Sequence, residues 1–227
     1  MMVRTVWLPA MLCCLLLAVM LMVGCAARSP HGASRADLDA LVDESARAVL
    51  ALRLKYPQLG PMLADAQGLL VFPAFTRAGY FVSVSGGSGV YVARDEAGFW
   101  SAPMFRTMGG VGGGMLAGAE HGALAYLIFD SEVARLVARA RWKADARFGV
   151  TALTTTVEHA TDQAIALADF SGVYAGVGLE GAYVDVWTTA DESYHGVGST
   201  PESILAGGGE DQGRDRMVQA IEGPLAQ

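Results

Sequence analysis

Residues 122–129 read Gly122-Ala123-Leu124-Ala125-Tyr126-Leu127-Ile128-Phe129. An apolar run of this length, opened by glycine and closed by the polar pair Asp130-Ser131, marks a central, buried β-strand. Asp130 or Ser131 then caps a helix through about Ala140, with Val133, Leu136 and Val137 turned inward. Just upstream, Gly109 to Gly118 (Gly-Gly-Val-Gly-Gly-Gly-Met-Leu-Ala-Gly) reads as a close-packed or bulged strand. It lacks the Gly-Lys-Ser/Thr ending of a phosphate loop, and no dinucleotide-binding Gly-x-Gly-x-x-Gly followed by a helix fits. Glu120 and His121 interrupt the small-residue spacing Gly110, Gly114, Gly118, Gly122, so a second membrane span is not expected.

Further strands flank this centre. Gly68 to Pro73 is a short buried-strand signal, and Gly79 to Ser85, Gly86-Gly87-Ser88-Gly89 and Val90 to Arg94 read as a hairpin. Phe99 to Pro103 follows the polar turn 94–98. Downstream, Arg135, Arg139, Lys143 and Arg147 recur every four residues, as a basic helical stripe would. Trp142, Ala144, Ala146, Phe148 and Val150, however, alternate with polar residues and glycine, and period two belongs to a strand. The helix therefore ends near Arg141, and the cations divide between a helix and the wet face of a strand. Strands are expected at 164–170, 172–180 and 182–188, and a short helix at 213–221. In front of the sheet, Leu38, Leu41, Val42, Val49 and Leu52 share one face of a helix that Ser34 caps and Pro57 stops. That helix either covers the sheet or lies on a membrane surface. A second short helix falls at 61–66. Together these signals predict a single α+β domain. Its sheet is mostly antiparallel and strongly twisted, of about seven to nine strands, partly closed, and covered by a few helices.

The amino terminus carries a different signal. Arg4 precedes an apolar stretch from 5 to 23, and Met22-Val23-Gly24-Cys25 closes it with a small residue before a cysteine. This resembles a bacterial lipoprotein signal, which implies cleavage before Cys25, lipidation of its thiol and acylation of the new amino terminus. Met22 stands where Leu is usual. An ordinary secretory signal and an uncleaved anchor are the other readings. Residues 1–24 are then the signal peptide, 25–33 a flexible tether, and 34–227 the folded domain. Ala26 after the cysteine points to the outer membrane, in a host that has one. Cys13 and Cys14 fall inside the signal, so the mature domain has no disulfide or thiolate metal site.

With 52% hydrophobic and 17% charged residues, the chain can bury a sizeable core. Its net charge of −7 argues against generic nucleic-acid binding. His121, His159 and His195 are too scattered for a metal motif. Ser88 lacks the second glycine of a nucleophile elbow. No catalytic residue, metal ligand or cofactor is assigned, and no enzyme activity is expected.

Several motifs taken in order resemble the SYLF domain: Ala66 to Pro73, Arg77-Ala78-Gly79, Ser88-Gly89-Val90, Trp100 to Pro103, and Gly172 to Gly181. The likeness covers roughly residues 36–207. It implies a lipid-binding module; eukaryotic members bind phosphoinositides and some bind actin filaments, whereas bacterial members are commonly secreted or lipidated. A Gly-x-Gln-x-Gly motif of the family appears here as Gly114 to Gly118 with Leu116 in place of Gln. Actin is absent from a bacterial envelope, so that activity is not carried over. The expectation is a lipoprotein held on the membrane by its lipidated Cys25, on the periplasmic face of the outer membrane. Its domain binds anionic phospholipid through a basic patch at Arg135, Arg139, Arg141 and Lys143. The alternative is a structural or protein-interaction envelope lipoprotein with no lipid ligand.

Overall fold

The computed structural model describes residues 32–144, 157–160, 164–209 and 211–225. The signal segment, Cys25 and Arg147 lie outside the described residues. Helix α1 (Arg35–Lys55) starts where the capping pattern places it: Ser34 Oγ accepts from the Asp37 N–H while the Asp37 carboxylate accepts from the Ser34 N–H. All five residues of its expected apolar stripe are buried against the sheet, joined by Ser45 and Ala48. Each such Leu or Val contributes about 1.5–3 kcal/mol, and the stripe faces protein. Helix α2 (Leu59–Asp65) follows after Pro57.

Three long strands then build the sheet: β1 (Gly68–Ala93), β2 (Met104–Ile128) and β5 (Ala164–Val186). β2 lies between the other two, antiparallel to both along nearly its whole length, so the run 122–129 is central as expected. Short strands β3 (Trp142–Ala144) and β4 (Val157–Ala160) pair with opposite ends of β5. Among the described residues the sheet does not close.

β1 doubles back on itself. Its ends meet where the Arg94 N–H donates to Gln67 O at 2.9 Å. Its halves run side by side, with Leu70 and Tyr91 on one face and Val71 and Val90 on the other. The turn falls at Phe81, where the register slips between Tyr80 and Val82. This corrects the hairpin assignment, because Gly86 to Gly89 are strand, not turn. Gly89 is there for close approach: a Cβ on it would lie 2.3 Å from Val71 O. Among the described residues the expected seven to nine strands number five, because 68–93 and 164–186 each run on as one long strand. Phe99 to Pro103, after the polar turn, joins the sheet through the isolated bridge Arg94↔Trp100.

One face of the folded sheet packs Leu69, Val71, Val90 and Leu127 under α1, α4 (Thr188–His195) and α6 (Asp211–Glu222). The other packs Leu70, Phe72, Tyr91 and Met104 under α3 (Ser131–Arg139) and α5 (Pro201–Leu205). The helices gather at the open ends of the strands, which we call the base. The turn at Phe81 forms the opposite end, the tip.

Candidate functional site

The expected basic patch begins on α3. Asp130 caps this helix by accepting from the Glu132 and Val133 N–H groups. Ala134, Val137 and Ala138 are its buried residues; Leu136, expected inside, is 49% exposed. The helix is pinned from below by Tyr91, whose hydroxyl donates to Ala134 O at 2.7 Å, and by Arg106, which donates to Val137 O and Ala138 O. With that face fixed, Arg135 and Arg139 point outward. They border a cleft of about 450 Å³ that also takes in Arg94, Asp95, Glu96 and Glu202. Arg139 pairs with Glu202 at 3.3 Å. The cleft therefore carries three guanidinium groups and three carboxylates, and is balanced in charge.

The chain leaves α3 at Ala140 and enters β3. Trp142 turns into the core against Tyr126, ring centroids 5.4 Å apart. Lys143, next in sequence, takes the other face, opposite Tyr183 of β5. Arg141 holds its guanidinium 5.4 Å from the Tyr183 ring centroid and donates to Asp185 at 2.9 Å. That bond and the nearby carboxylate charge raise the Arg141 pKa above its ordinary value. The four expected residues thus form two pairs divided by the sheet edge. Arg135 and Arg139 face the cleft, whereas Arg141 and Lys143 lie on the outer face of the sheet.

The register shows what that outer face contains. Tyr183 lies opposite Gly109 and Val111 opposite Val84, so Val84, Val111, Tyr183 and Lys143 share one side of the sheet. Val82 continues the row toward the tip. Tyr183, Val111, Val84 and Val82 are all exposed. Gly109 and Gly181, between them, have open space where a side chain would stand. The result is a shallow apolar strip with two cations at its edge. The sequence reading found the cations but missed the strip; the signal available was period-two apolar residues among glycines too small to cover them.

No family model matches the chain, and no solved structure matches it. Among curated proteins, Protein YSC84 of Saccharomyces cerevisiae is 29% identical over 164 residues, covering 64% of this chain and 33% of the relative. SH3 domain-containing YSC84-like protein 1 of Xenopus laevis is 37% identical over 78 residues, 34% of this chain and 23% of the relative. LAS seventeen-binding protein 3 of Saccharomyces cerevisiae is 28% identical over 164 residues, 64% of this chain and 34% of the relative. The matches span about a third or less of these relatives' own length. The homologues of this chain are thus YSC84 and the SH3 domain-containing YSC84-like proteins, the SYLF-carrying group that its motifs resemble, at modest identity over much of the chain.

Proposed function

We propose that this protein is a lipid-binding module held at a bacterial envelope membrane by a lipidated Cys25, and that its domain recognises anionic phospholipid. The observation that carries the reading is the outer sheet face, where exposed apolar side chains run up to Arg141 and Lys143. A phospholipid head presents a phosphate beside glycerol and acyl carbons, and this strip offers cations and apolar surface in that order. The Arg141 pair with Asp185 is no obstacle, because exposed ion pairs are worth about 0–1 kcal/mol and exchange readily for a phosphate. The chain's net negative charge is screened beyond about 8 Å at physiological salt, so local cations decide.

The test compares the two pairs of cations. Arg141→Glu with Lys143→Glu should weaken binding of the non-lipidated domain to phosphatidylglycerol-containing vesicles by roughly tenfold or more, at about 1 kcal/mol per cation. Arg135→Glu with Arg139→Glu should have the smaller effect. Equal co-sedimentation of wild type and both variants, at low and high salt, would reject the reading. Cys25→Ser should yield unprocessed, non-acylated protein, and normal acylation of that variant would remove the anchor.

A second reading rests on the charge-balanced cleft between α3 and α5. A lining of three guanidinium groups and three carboxylates, with Arg139 paired to Glu202, suits a polar peptide better than a polyanion. A protein partner captured through this cleft would be lost with Arg135→Glu and Arg139→Glu, and vesicle binding would be unchanged.

A further inference from the structure

We infer that the tip of the folded sheet, Tyr80-Phe81-Val82, inserts into the head-group and acyl boundary of a lipid bilayer. This deepens the lipid reading above and rests on it, but names a different element with a separate test. Tyr80, Phe81 and Val82 are 71%, 54% and 62% exposed, and Val111 beside them is 65% exposed. The two rings pack edge to face with centroids 4.4 Å apart, forming one apolar knob.

Three features select a bilayer as the occupant. The first is charge. Residues 78–93 contain no Asp, Glu, Lys, Arg or His, and residues 104–119 contain only Arg106, which is buried. On β5, Glu180 is the single charged position between Phe170 and Val184. In a chain with 39 charged residues such stretches leave almost nothing to desolvate on entering a membrane surface. The second is backbone satisfaction. β1 pairs with β2, and β2 with β5, on both sides of the turn, so most peptide groups near the tip already have partners, as immersion in lipid demands. The third is shape. The tip is convex, and Phe81 is the only described non-glycine residue in the left-handed region, φ 61°. Holding a bulky residue there costs stability, and it places an aromatic ring outward beside Tyr80. Aromatic side chains at such an edge favour the membrane interface.

The outer face fixes the orientation. With the tip inserted, Tyr183, Arg141 and Lys143 follow on the same side of the sheet at the level of the phosphates. The loop at the base containing Phe99 points away. Eleven residues of strand separate the register slip at Val82 from the end of β1 at Ala93, roughly 35 Å at 3.3 Å per residue.

Phe81→Trp and Phe99→Trp in the full chain, reconstituted into vesicles of phosphatidylcholine and phosphatidylglycerol in equal amounts, test this directly. Both positions are exposed in the free protein. The indole emission that each substitution adds is read as the difference from wild type. Lipid carrying brominated acyl chains should remove most of the emission added by Phe81→Trp and little of that added by Phe99→Trp, and aqueous iodide should do the reverse. Tyr80→Trp is the second tip reporter should Phe81→Trp misfold.

Equal quenching of the tip and base reporters, or iodide access to the tip reporter unchanged by vesicles, would overturn the proposal. Shielding of the tip reporter before vesicles are added would assign the tip to a protein contact and also overturn it. The head-group reading is judged separately. Bromolipid quenching at the tip that survives both Arg141→Glu with Lys143→Glu and pure phosphatidylcholine supports insertion without that reading. Charge-dependent vesicle binding with the tip reporter still open to iodide sinks insertion alone.

Discussion

At the base of the sheet, helices cover both faces, and a fully buried arginine is locked among carbonyls. At the tip, Tyr80, Phe81 and Val82 stand exposed, and glycine is frequent where the base has Leu, Val and Phe. Arg106 shows what the base does with charge. Its side chain is fully buried, donates to Phe105 O at 2.6 Å, Val137 O at 3.3 Å and Ala138 O at 2.5 Å, and faces Asp191 at 3.5 Å. It joins β2 to the carboxyl end of α3 and to α4, so the base is held by long-range polar contacts as well as packing. At the neck below the tip, Arg77 and Glu120 form another buried pair, with Arg77 set over Phe170. Beyond it the described tip residues have no such anchor. Substitutions at the two ends should therefore differ in size and sign.

The largest effect is expected at the base. Arg106→Met leaves Asp191 buried without its counter-charge and takes a donor from Val137 O and Ala138 O, while Phe105 O keeps the Trp187 N–H, which costs about 3–5 kcal/mol. Chemical denaturation measures it. A near-neutral result would mean that packing alone holds the base. Arg106→Met with Asp191→Asn should recover much of the loss, because the remaining amide can still accept from the Phe105 N–H.

Next in size is a pH dependence. Burial pushes the Asp191 carboxyl from its ordinary 3.8 up to about 6, against the pull of Arg106 and the Phe105 N–H. Burial also lowers the Arg106 pKa, so desolvation outweighs attraction for both partners. A carboxyl whose folded pKa is raised holds its proton more tightly when folded. Its contribution to stability is complete below about pH 4, is lost as pH rises through about 6, and is flat above that. The span is about 3 kcal/mol at 1.36 kcal/mol per pKa unit. Denaturation at pH 4.5 and 7.5 should show that slope in wild type and a reduced one in Asp191→Asn. A wild-type difference no larger than that of the variant would contradict it.

How the two regions differ was only partly legible in the amino-acid order. Local signals did well: Ser34 and Asp130 cap the helices expected of them, and α1 buries the stripe its spacing marks. Period two in Trp142-Lys143-Ala144 correctly overruled the four-residue recurrence of cations. Glycine is ambiguous, because a glycine needed for close approach looks the same as one needed for a turn. Gly86 to Gly89 have the composition of a turn, yet Phe81 makes it. The exposed tip was hidden too, since Tyr80, Val82 and Val84 follow the pattern of a half-buried strand and no local signal says the burying partner is missing. Arg106 and Asp191, 85 positions apart, meet only through the fold.

The third expected effect is at the contact between the two halves of β1. Gly89→Ala puts a methyl 2.3 Å from Val71 O and 2.6 Å from the Phe72 ring, both part of the packed base. One arm must move, at about 2 kcal/mol. A melting temperature equal to wild type would show that the arms are less tightly joined than their ends, pinned by Arg94 and Gln67, require.

The smallest effect, and the one of opposite sign, belongs to the tip side of the same ribbon. Gly109 is exposed, and a Cβ there meets no atom within 4 Å. Its backbone needs no left-handed conformation, so nothing in the fold calls for glycine. Gly109→Ala reduces the freedom of the unfolded chain without a clash, and should stabilise the domain by about 0.5 kcal/mol. Calorimetry resolves that sign beside the loss at Gly89. A destabilised Gly109→Ala would mean the outer face is covered, and would close the strip between Tyr183 and Val111 that the lipid reading depends on. A stabilised variant with weaker vesicle binding would show why glycine stands there: the strip is kept bare for contact, at some cost in stability.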